Sequence, residues 1–128
     1  MAFLYIWQNS MGFVNMKKMA ILKKKRDFSR VFNNGDTYVE THLVLHVLEH
    51  RVNRTRFGFT VSRKIGNAVQ RNRIKRRLKE IVRRHSAKIK DGFDVVIVAR
   101  KRSLNTSSFK LEKSLITVIK KADLLFDE

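Results

Sequence analysis

The chain contains no cysteine and no proline, and it has only five glycines among 128 residues. Without cysteine it can form no disulfide framework, and it offers no thiolate as a nucleophile or as a metal ligand. A cysteine-free composition is typical of a protein from a reducing compartment. We therefore expect a cytoplasmic protein.

Carboxylates are scarce as well. The sequence has 11 Asp and Glu residues, six of which follow Lys90. Paired carboxylates for acid-base or two-metal chemistry are therefore missing. His42, His46 and His50 recur at every fourth position, but residues four apart on a strand are separated by ~13 Å, too far to share one ion. We expect no catalytic centre and no metal site in the polypeptide, and no cofactor bound by the protein alone.

Positive charge is what the sequence has in excess. The 29 Lys and Arg residues give a formal net charge of +18. The chain is 43% hydrophobic, which is too apolar for a disordered tail, and its length suits one domain. Self-repulsion at this charge destabilises a compact state that has no anionic partner. Nucleic acid is the first candidate because phosphate binding releases counterions, and a membrane surface is the second.

The first sixteen residues differ from the rest because they carry no charge and are rich in large apolar side chains. The segment is too short for a membrane span, and it lacks the order of charges that a signal peptide requires. Met11, Met16 and Met19 offer later starts. We expect residues 1–16 to be a disordered extension or a start-site artefact, and residues 17–128 to form a single domain that binds nucleic acid.

Apolar spacing predicts three helices. The first has Asp27 as its cap and an apolar stripe, and it ends near Gly35, which we expect to adopt the left-handed conformation. The second covers residues 71–85; Asn67 and Gln70 resemble a capping box that starts it, and Asn72 is the alternative start. The third has a stripe from Leu111 to Ala122.

Alternation predicts strands over residues 41–49 and 56–62, with a short extra strand near residues 37–40. Residues 51–54 are short enough to join the two longer strands as a hairpin. Residues 93–99 contain a continuous apolar run, which is typical of a strand buried on both faces.

The second predicted helix and the loop before it are strongly basic. Between residues 63 and 84 there are ten Lys or Arg residues and one acid, Glu80. A solvated helix face is the alternative interpretation, but such a face normally mixes charges, because like charges four residues apart cost ~0.2–0.5 kcal/mol. This pattern favours phosphate binding.

Aromatic residues near this surface have two interpretations. Phe28, Phe32 and His46 are core residues by default. Beside a cationic groove, exposed rings could instead stack on unpaired bases, each worth ~1–3 kcal/mol.

Residues 57–76 read FGFTVSRKIGNAVQRNRIKR, which closely resembles the signature of the protein subunit of bacterial ribonuclease P. The Arg71-Asn72-Arg73 box is at its centre. Residues 27–35 resemble the first-helix motif of that family, and residues 97–101 resemble its last strand. The resemblance covers about residues 17–122, in the order and spacing of the family.

The resemblance implies an α+β fold, a two-layer sandwich of a four-stranded, mostly antiparallel sheet with three helices, similar to a ribosomal-protein domain. It also implies a left-handed crossover from the strand at residues 56–62 through the basic helix to the strand at residues 93–99. General principles alone predict a right-handed connection, which holds in ~98% of cases.

In the family, a large RNA subunit uses Mg²⁺ to remove the 5′ leader from precursor tRNA, and the protein is an accessory subunit. The implied partners are that RNA and precursor tRNA, with no membrane and no small-molecule substrate. The implied RNA-binding residues are Arg63, Lys64, Asn67, Arg71, Asn72, Arg73, Lys75, Arg76 and Lys79. The implied leader-binding cleft contains Phe28, Phe32 and His46. Relatives often carry tyrosine at the position of His46, which puts the leader preference in doubt.

Two other classes remain as alternatives. A non-catalytic RNA-binding module, such as a ribosomal or RNA-recognition protein, is suggested by residues 56–59, whose aromatic pattern partly matches an RNA-recognition strand. A membrane-active cationic helix would need a broader apolar face than Ile74, Leu78, Ile81 and Val82 provide.

Overall fold

The computed structural model of the chain describes residues 19–50 and 53–126, so the predicted extension over residues 1–16 lies outside the described residues. The elements of the described part are, in chain order, β1 (Ala20–Ile21), α1 (Lys25–Asn34), β2 (Asp36–Val39), β3 (Leu43–Glu49), β4 (Arg56–Val61), α2 (Ala68–His85), β5 (Phe93–Ala99) and α3 (Ser108–Lys121). None of the described helices combines the length and the apolar character of a membrane span.

The strands form one mixed sheet in the order β1-β4-β5-β3-β2. Strands β2, β3 and β5 are antiparallel neighbours in turn, and β4 pairs with β5 in parallel. The expected α+β fold with three helices is confirmed, and the sheet gains a fifth strand. This strand, β1, adds two residues in parallel beside Arg56 and Phe57 of β4.

The predicted hairpin between residues 41–49 and 56–62 is wrong. Strands β3 and β4 do not pair, because β5 lies between them and bonds to both. Strand β5 is consequently central, and Val95, Val96 and Ile97 are all buried, as the continuous apolar run predicted. Strands β4 and β5 are parallel neighbours joined through α2, and the left-handed course of that crossover stays a prediction of the resemblance.

Helices cover both faces of the sheet. Helices α2 and α3 pack on one face, where Leu78 and Leu115 join Leu45, Phe59 and Ile97 in the main core. Helix α1 packs on the other face, where a smaller cluster contains Leu22, Val31 and Val96. The small helix therefore adds a layer to the expected helix-on-sheet sandwich.

The start of α2 confirms the predicted capping box. The Asn67 side chain accepts a hydrogen bond from the Gln70 backbone N–H at 2.9 Å, and the Gln70 side chain accepts one from the Asn67 N–H at 2.8 Å. This exchange satisfies two backbone donors at the end of the helix. It also fixes the first residues of α2 next to the basic loop.

The predicted cap of α1 is wrong. The helix begins at Lys25, and Asp27 lies inside its first turn, where its carboxylate is 3.4 Å from the Arg30 guanidinium. A carboxylate in the first turn still interacts favourably with the helix dipole. Asp27 therefore supports the helix from within.

Gly35 ends α1, but it is not left-handed, since its φ is −87°. A Cβ at this position would lie 2.7 Å from the carbonyl oxygens of both Val31 and Val47. Glycine is required here because two backbone segments approach closely.

Candidate nucleic-acid interface

The three aromatic residues predicted as a cleft lie together in the fold. Phe28 and Phe32 are one helical turn apart on α1, with ring centroids separated by 6.5 Å. The Phe32 ring meets the His46 ring of β3 edge-on, with a centroid distance of 4.9 Å and an angle of 81°. Phe28, Phe32 and His46 thus form a continuous group, called here the ring cluster.

The ring cluster is open to solvent at Phe32, which is 44% exposed, while Phe28 and His46 are half-buried. Phe28 packs closely on the sheet because β4 carries Gly58 beneath its ring. A Cβ at Gly58 would lie 2.6 Å from the Phe28 ring. The missing side chain in β4 therefore determines how deep the cluster is set.

The sheet beside the ring cluster is incompletely covered by α1. Val44, Thr60 and Val98 occupy neighbouring strands in register, and all three are half-buried although the residues that flank them along their strands are buried. These three residues, called here the sheet floor, were missed by the sequence reasoning. Along each strand these residues alternate with core residues, and this alternation was the sequence signal that could have revealed them.

His46 contributes an uncharged ring to the cluster. Its Nδ1 is 3.1 Å from the Thr37 hydroxyl of β2, and burial lowers the pKa of His46 from its ordinary value. The imidazole is therefore neutral at pH 7 and can stack on a base without a charge.

The basic loop between β4 and α2 begins at the end of β4 where the sheet floor lies. Ile65 is buried, and the backbone is held by hydrogen bonds from the Lys64 N–H to the Ser62 hydroxyl and from the Ile65 N–H to the Ser62 carbonyl. Arg63 and Lys64 are both exposed. The buried isoleucine thus anchors a loop that presents two cations to solvent.

Helix α2 separates apolar and cationic residues as its spacing predicted. Ile74, Leu78, Ile81 and Val82 are buried against the sheet. The predicted RNA-binding residues occupy the remaining circumference and the preceding loop, and they are called here the basic surface: Arg63, Lys64, Asn67, Arg71, Asn72, Arg73, Lys75, Arg76 and Lys79.

Two members of the basic surface are held by neutral partners. Arg71 donates to the Gly66 carbonyl at 2.6 Å, and the Lys79 ammonium lies 6.0 Å from the centroid of the Phe59 ring. Within the described residues, no cation of the basic surface has a carboxylate within 4.0 Å. At the end of the same helix, by contrast, Arg84 lies 3.1 Å from Glu112. The charge of the basic surface is therefore not neutralised inside this part of the fold.

An ion-pair network on the α1 side of the sheet was missed. Asp94 of β5 is fully buried and accepts two hydrogen bonds from Arg56, at 2.8 and 2.7 Å, and one from Arg30 at 3.0 Å. Burial alone would raise the pKa of Asp94, but the hydrogen bonds from Arg56 and Arg30, with the nearby charge of His50, hold it below its usual value. The sequence signal for this network was Asp94 itself, the one acid in the apolar run of residues 93–99.

A second carboxylate joins the two large helices. Glu112 of α3 is 2.7 Å from His85 Nε2 of α2. The hydrogen bond with His85 and the charge of Arg84 lower the pKa of Glu112, against a smaller opposing effect of burial. Over residues 19–50 and 53–126, no group of three or more His, Cys, Asp or Glu residues is placed to hold a metal ion.

Comparison with known proteins gives the family. The ribonuclease P family profile matches residues 16–123. The ribonuclease P protein component of Natranaerobius thermophilus is 39% identical over 110 residues, which are 86% of this chain and 96% of that protein.

Two experimental structures share the fold. The Staphylococcus aureus RNase P protein superposes with a TM-score of 0.80 at 30% identity, covering 85% of this chain and all of the other. The Thermotoga maritima RNase P protein gives a TM-score of 0.73 at 30% identity, covering 78% and 94%.

The chain therefore belongs to the ribonuclease P protein family. The general function of this family is tRNA processing together with an RNA subunit. A ribonuclease P RNA is accordingly the partner that membership implies.

Proposed function

We propose that this chain is the RNA-binding subunit of a ribonuclease P holoenzyme that removes the 5′ leader from precursor tRNA in the cytoplasm. The observation that carries the proposal is the ring cluster, open at Phe32, beside an uncovered sheet floor. Apolar rings exposed next to a cationic loop suit a single-stranded RNA. The 5′ leader of a precursor tRNA is single-stranded.

In this proposal the leader lies across the sheet floor. A base stacks on Phe32 and His46, each stacked base contributing ~1–3 kcal/mol. Because the His46 ring is neutral and its Nδ1 is engaged by Thr37, stacking there depends little on pH near neutrality. Arg63 and Lys64, at the end of β4, are placed to meet leader phosphates.

Apart from Arg63 and Lys64, the basic surface binds the catalytic RNA. Its cations have no carboxylate partners within the described fold, so phosphate contacts neutralise them without breaking existing ion pairs. For single strands, each phosphate neutralised steepens the fall of log K with log salt by about 0.7. The binding constant is therefore expected to depend strongly on salt.

The reaction itself belongs to the RNA subunit, with Mg²⁺ ions that the RNA holds. Among the described carboxylates, the buried Asp94 is saturated by arginine, and Glu112 is paired with His85 and Arg84. A carboxylate that binds Mg²⁺ needs free oxygen atoms. The protein's part is to position the leader and to stabilise the folded RNA.

The experiment that tests the proposal is cleavage of a 5′-extended precursor tRNA by a bacterial ribonuclease P RNA at limiting Mg²⁺, with and without the full chain. We expect correct cleavage only when both are present. The Arg73→Gln/Arg76→Gln variant should lose most of this stimulation, whereas Lys88→Gln/Lys120→Gln, which removes two exposed charges elsewhere, should keep it. Tight RNA binding without any gain in cleavage would make the chain a general RNA-binding module instead.

A further inference from the structure

A second cationic pocket lies where the loop after β5 meets the start of α3. It has a volume of about 510 Å³, and its lining includes Lys101, Arg102, Lys110, His42 and Ser107. It shares no residue with the basic surface or the ring cluster. A smaller cavity of about 200 Å³ adjoins it, shares His42 and Lys110, and also contains Ser114.

The charge of this pocket is unbalanced. Lys101, Arg102 and Lys110 are exposed, and within the described residues none of them has a carboxylate within 4.0 Å. The acid that lines the smaller cavity is Glu40. Its carboxylate accepts from the Thr41 N–H at 2.9 Å and lies 3.9 Å from Lys121, so it is already engaged.

Two buried polar atoms at this place lack partners. The Nδ1 of His42 and the hydroxyl of Ser114 are both inaccessible and make no hydrogen bond within the described structure. Ser114 is only 6% exposed, and both residues line the smaller cavity. A buried polar group without a partner costs about 1–3 kcal/mol. Because both atoms are inaccessible, they gain a partner when their side chains turn toward an oxygen-rich ligand in the cavity.

The start of α3 adds to the attraction for an anion. Ser107 caps this 14-residue helix by accepting from the Lys110 N–H at 3.1 Å. The other N–H groups of the first turn lack intrahelical partners, and they carry the positive end of the helix dipole. The N-terminal end of α3 and the three cations therefore attract an anion into the same pocket.

We propose that this pocket binds a phosphate group of an RNA strand and so gives the chain a second RNA contact. A phosphate offers oxygen acceptors for the two ammonium groups and the guanidinium that line the pocket, and for a ring N–H of His42, which lines both cavities. The contact requires the chain to bind RNA, as proposed above, but uses none of the residues assigned there. It would anchor RNA at the start of α3.

The first test measures how RNA affinity depends on salt. A single-stranded oligouridylate is titrated with the full chain, with Lys101→Gln/Lys110→Gln and with the control Lys88→Gln/Lys120→Gln, at several KCl concentrations. Loss of this phosphate contact should reduce the slope of log K against log salt by about 0.7, and the control should keep the original slope. Equal slopes for the two double variants would overturn the proposal, because the effect would then be net charge alone. Circular dichroism checks folding, and the single variant Lys110→Gln replaces the pair if the pair fails to fold.

A second measurement identifies the ligand. In ¹⁵N-labelled full chain, the amide resonances of Ser107, Lys110 and Ser114 and the ring of His42 should shift on adding the oligouridylate, and at higher concentration on adding inorganic phosphate. Shifts with inorganic phosphate and none with RNA would overturn the proposal in favour of a free-phosphate site. The Arg73→Gln/Arg76→Gln variant should keep these shifts, so failure of the basic surface and failure of this pocket give different results.

Discussion

The two faces of one sheet are covered to very different degrees. Helices α2 and α3, of 18 and 14 residues, close one face, and Leu45 and Ile97 beneath them are fully buried. Helix α1, of 10 residues, covers only part of the other face, where His46 and Val98 remain half-buried. The same strands supply both faces, so the difference comes from the length and number of the helices.

The closed face is linked to folding, and the open face is linked to binding. The closed face holds the main core and thus most of the apolar area removed from water, at roughly 25 cal/mol per Å². The open face keeps aromatic rings accessible, and contiguous exposed apolar area on a monomer marks an interaction site. Substitutions on the closed face should therefore change the free energy of unfolding, and those on the open face should change binding.

The largest effect is expected on the closed face. Leu78→Ala removes a fully buried side chain and leaves a cavity between α2 and the sheet, which should lower the free energy of unfolding by about 2–5 kcal/mol. Urea unfolding followed by circular dichroism measures this change. A loss below about 1 kcal/mol would mean that the closed face is not the main source of stability.

A smaller effect is expected from the ion-pair network that ties α1 to the sheet. Asp94→Asn leaves Arg56 and Arg30 without their buried carboxylate, which is strongly unfavourable for a fully buried pair. Arg56 is 31% exposed and can regain water, so urea unfolding should show a loss of about 2 kcal/mol, below the ~3–5 kcal/mol of a fully buried pair.

The Asp94 network also predicts that the free energy of unfolding depends on pH. The pKa of Asp94 is lower in the folded state, so its contribution is complete above the unfolded pKa of about 3.9 and is lost as the pH falls through the folded pKa. The wild-type urea midpoint should therefore fall on acidification below about pH 4, and less steeply in Asp94→Asn. The slope that remains in the variant reports Glu112 and other carboxylates. Identical slopes would contradict the assignment.

Local features of the fold could be predicted from the sequence, and non-local ones could not. The capping box of Asn67 and Gln70 depends on residues three apart, and the buried run of β5 depends on one segment, so both were visible. The pairing of β5 between β3 and β4 joins residues far apart in the chain, and no turn pattern reveals it. Strand β1 could not be predicted for the same reason, because its two residues pair with Arg56 and Phe57, which are far away in the chain.

The candidate site follows the same division. Phe28 and Phe32 share a helix face at a spacing of four residues, so their proximity was predictable. The contact with His46, the Asp94 network and the pocket at Ser114 each join separate elements, so they required the tertiary structure. Gly35 was predicted as a left-handed residue because glycine at a helix end commonly is, whereas its real constraint, the Val47 carbonyl, lies on another strand.

A fourth prediction concerns the boundary between the two faces. Gly58→Ala would place a Cβ 2.6 Å from the Phe28 ring, and the ring must move away from the sheet. Because the ring edge can shift, the loss of stability should be about 1 kcal/mol, at the low end for overpacking. Leader binding should weaken as well, because Phe28 lies next to Phe32 and a shift of its ring disturbs the ring cluster. Unchanged leader affinity would show that the depth of Phe28 does not matter for binding.

The smallest effect on stability is expected on the open face. Phe32→Ala truncates a ring that is 44% exposed, so the free energy of unfolding should fall by less than about 1 kcal/mol. If the ring stacks on a leader base, the preference of the holoenzyme for precursor over mature tRNA should fall by about 1–3 kcal/mol, or roughly 5- to 150-fold. The matched variant Phe126→Ala, at a ring that is 56% exposed near the end of the chain, should leave this preference unchanged. If Phe32→Ala instead unfolded the chain as readily as Leu78→Ala, the open face would be part of the core, and the division between a folding face and a binding face would be wrong.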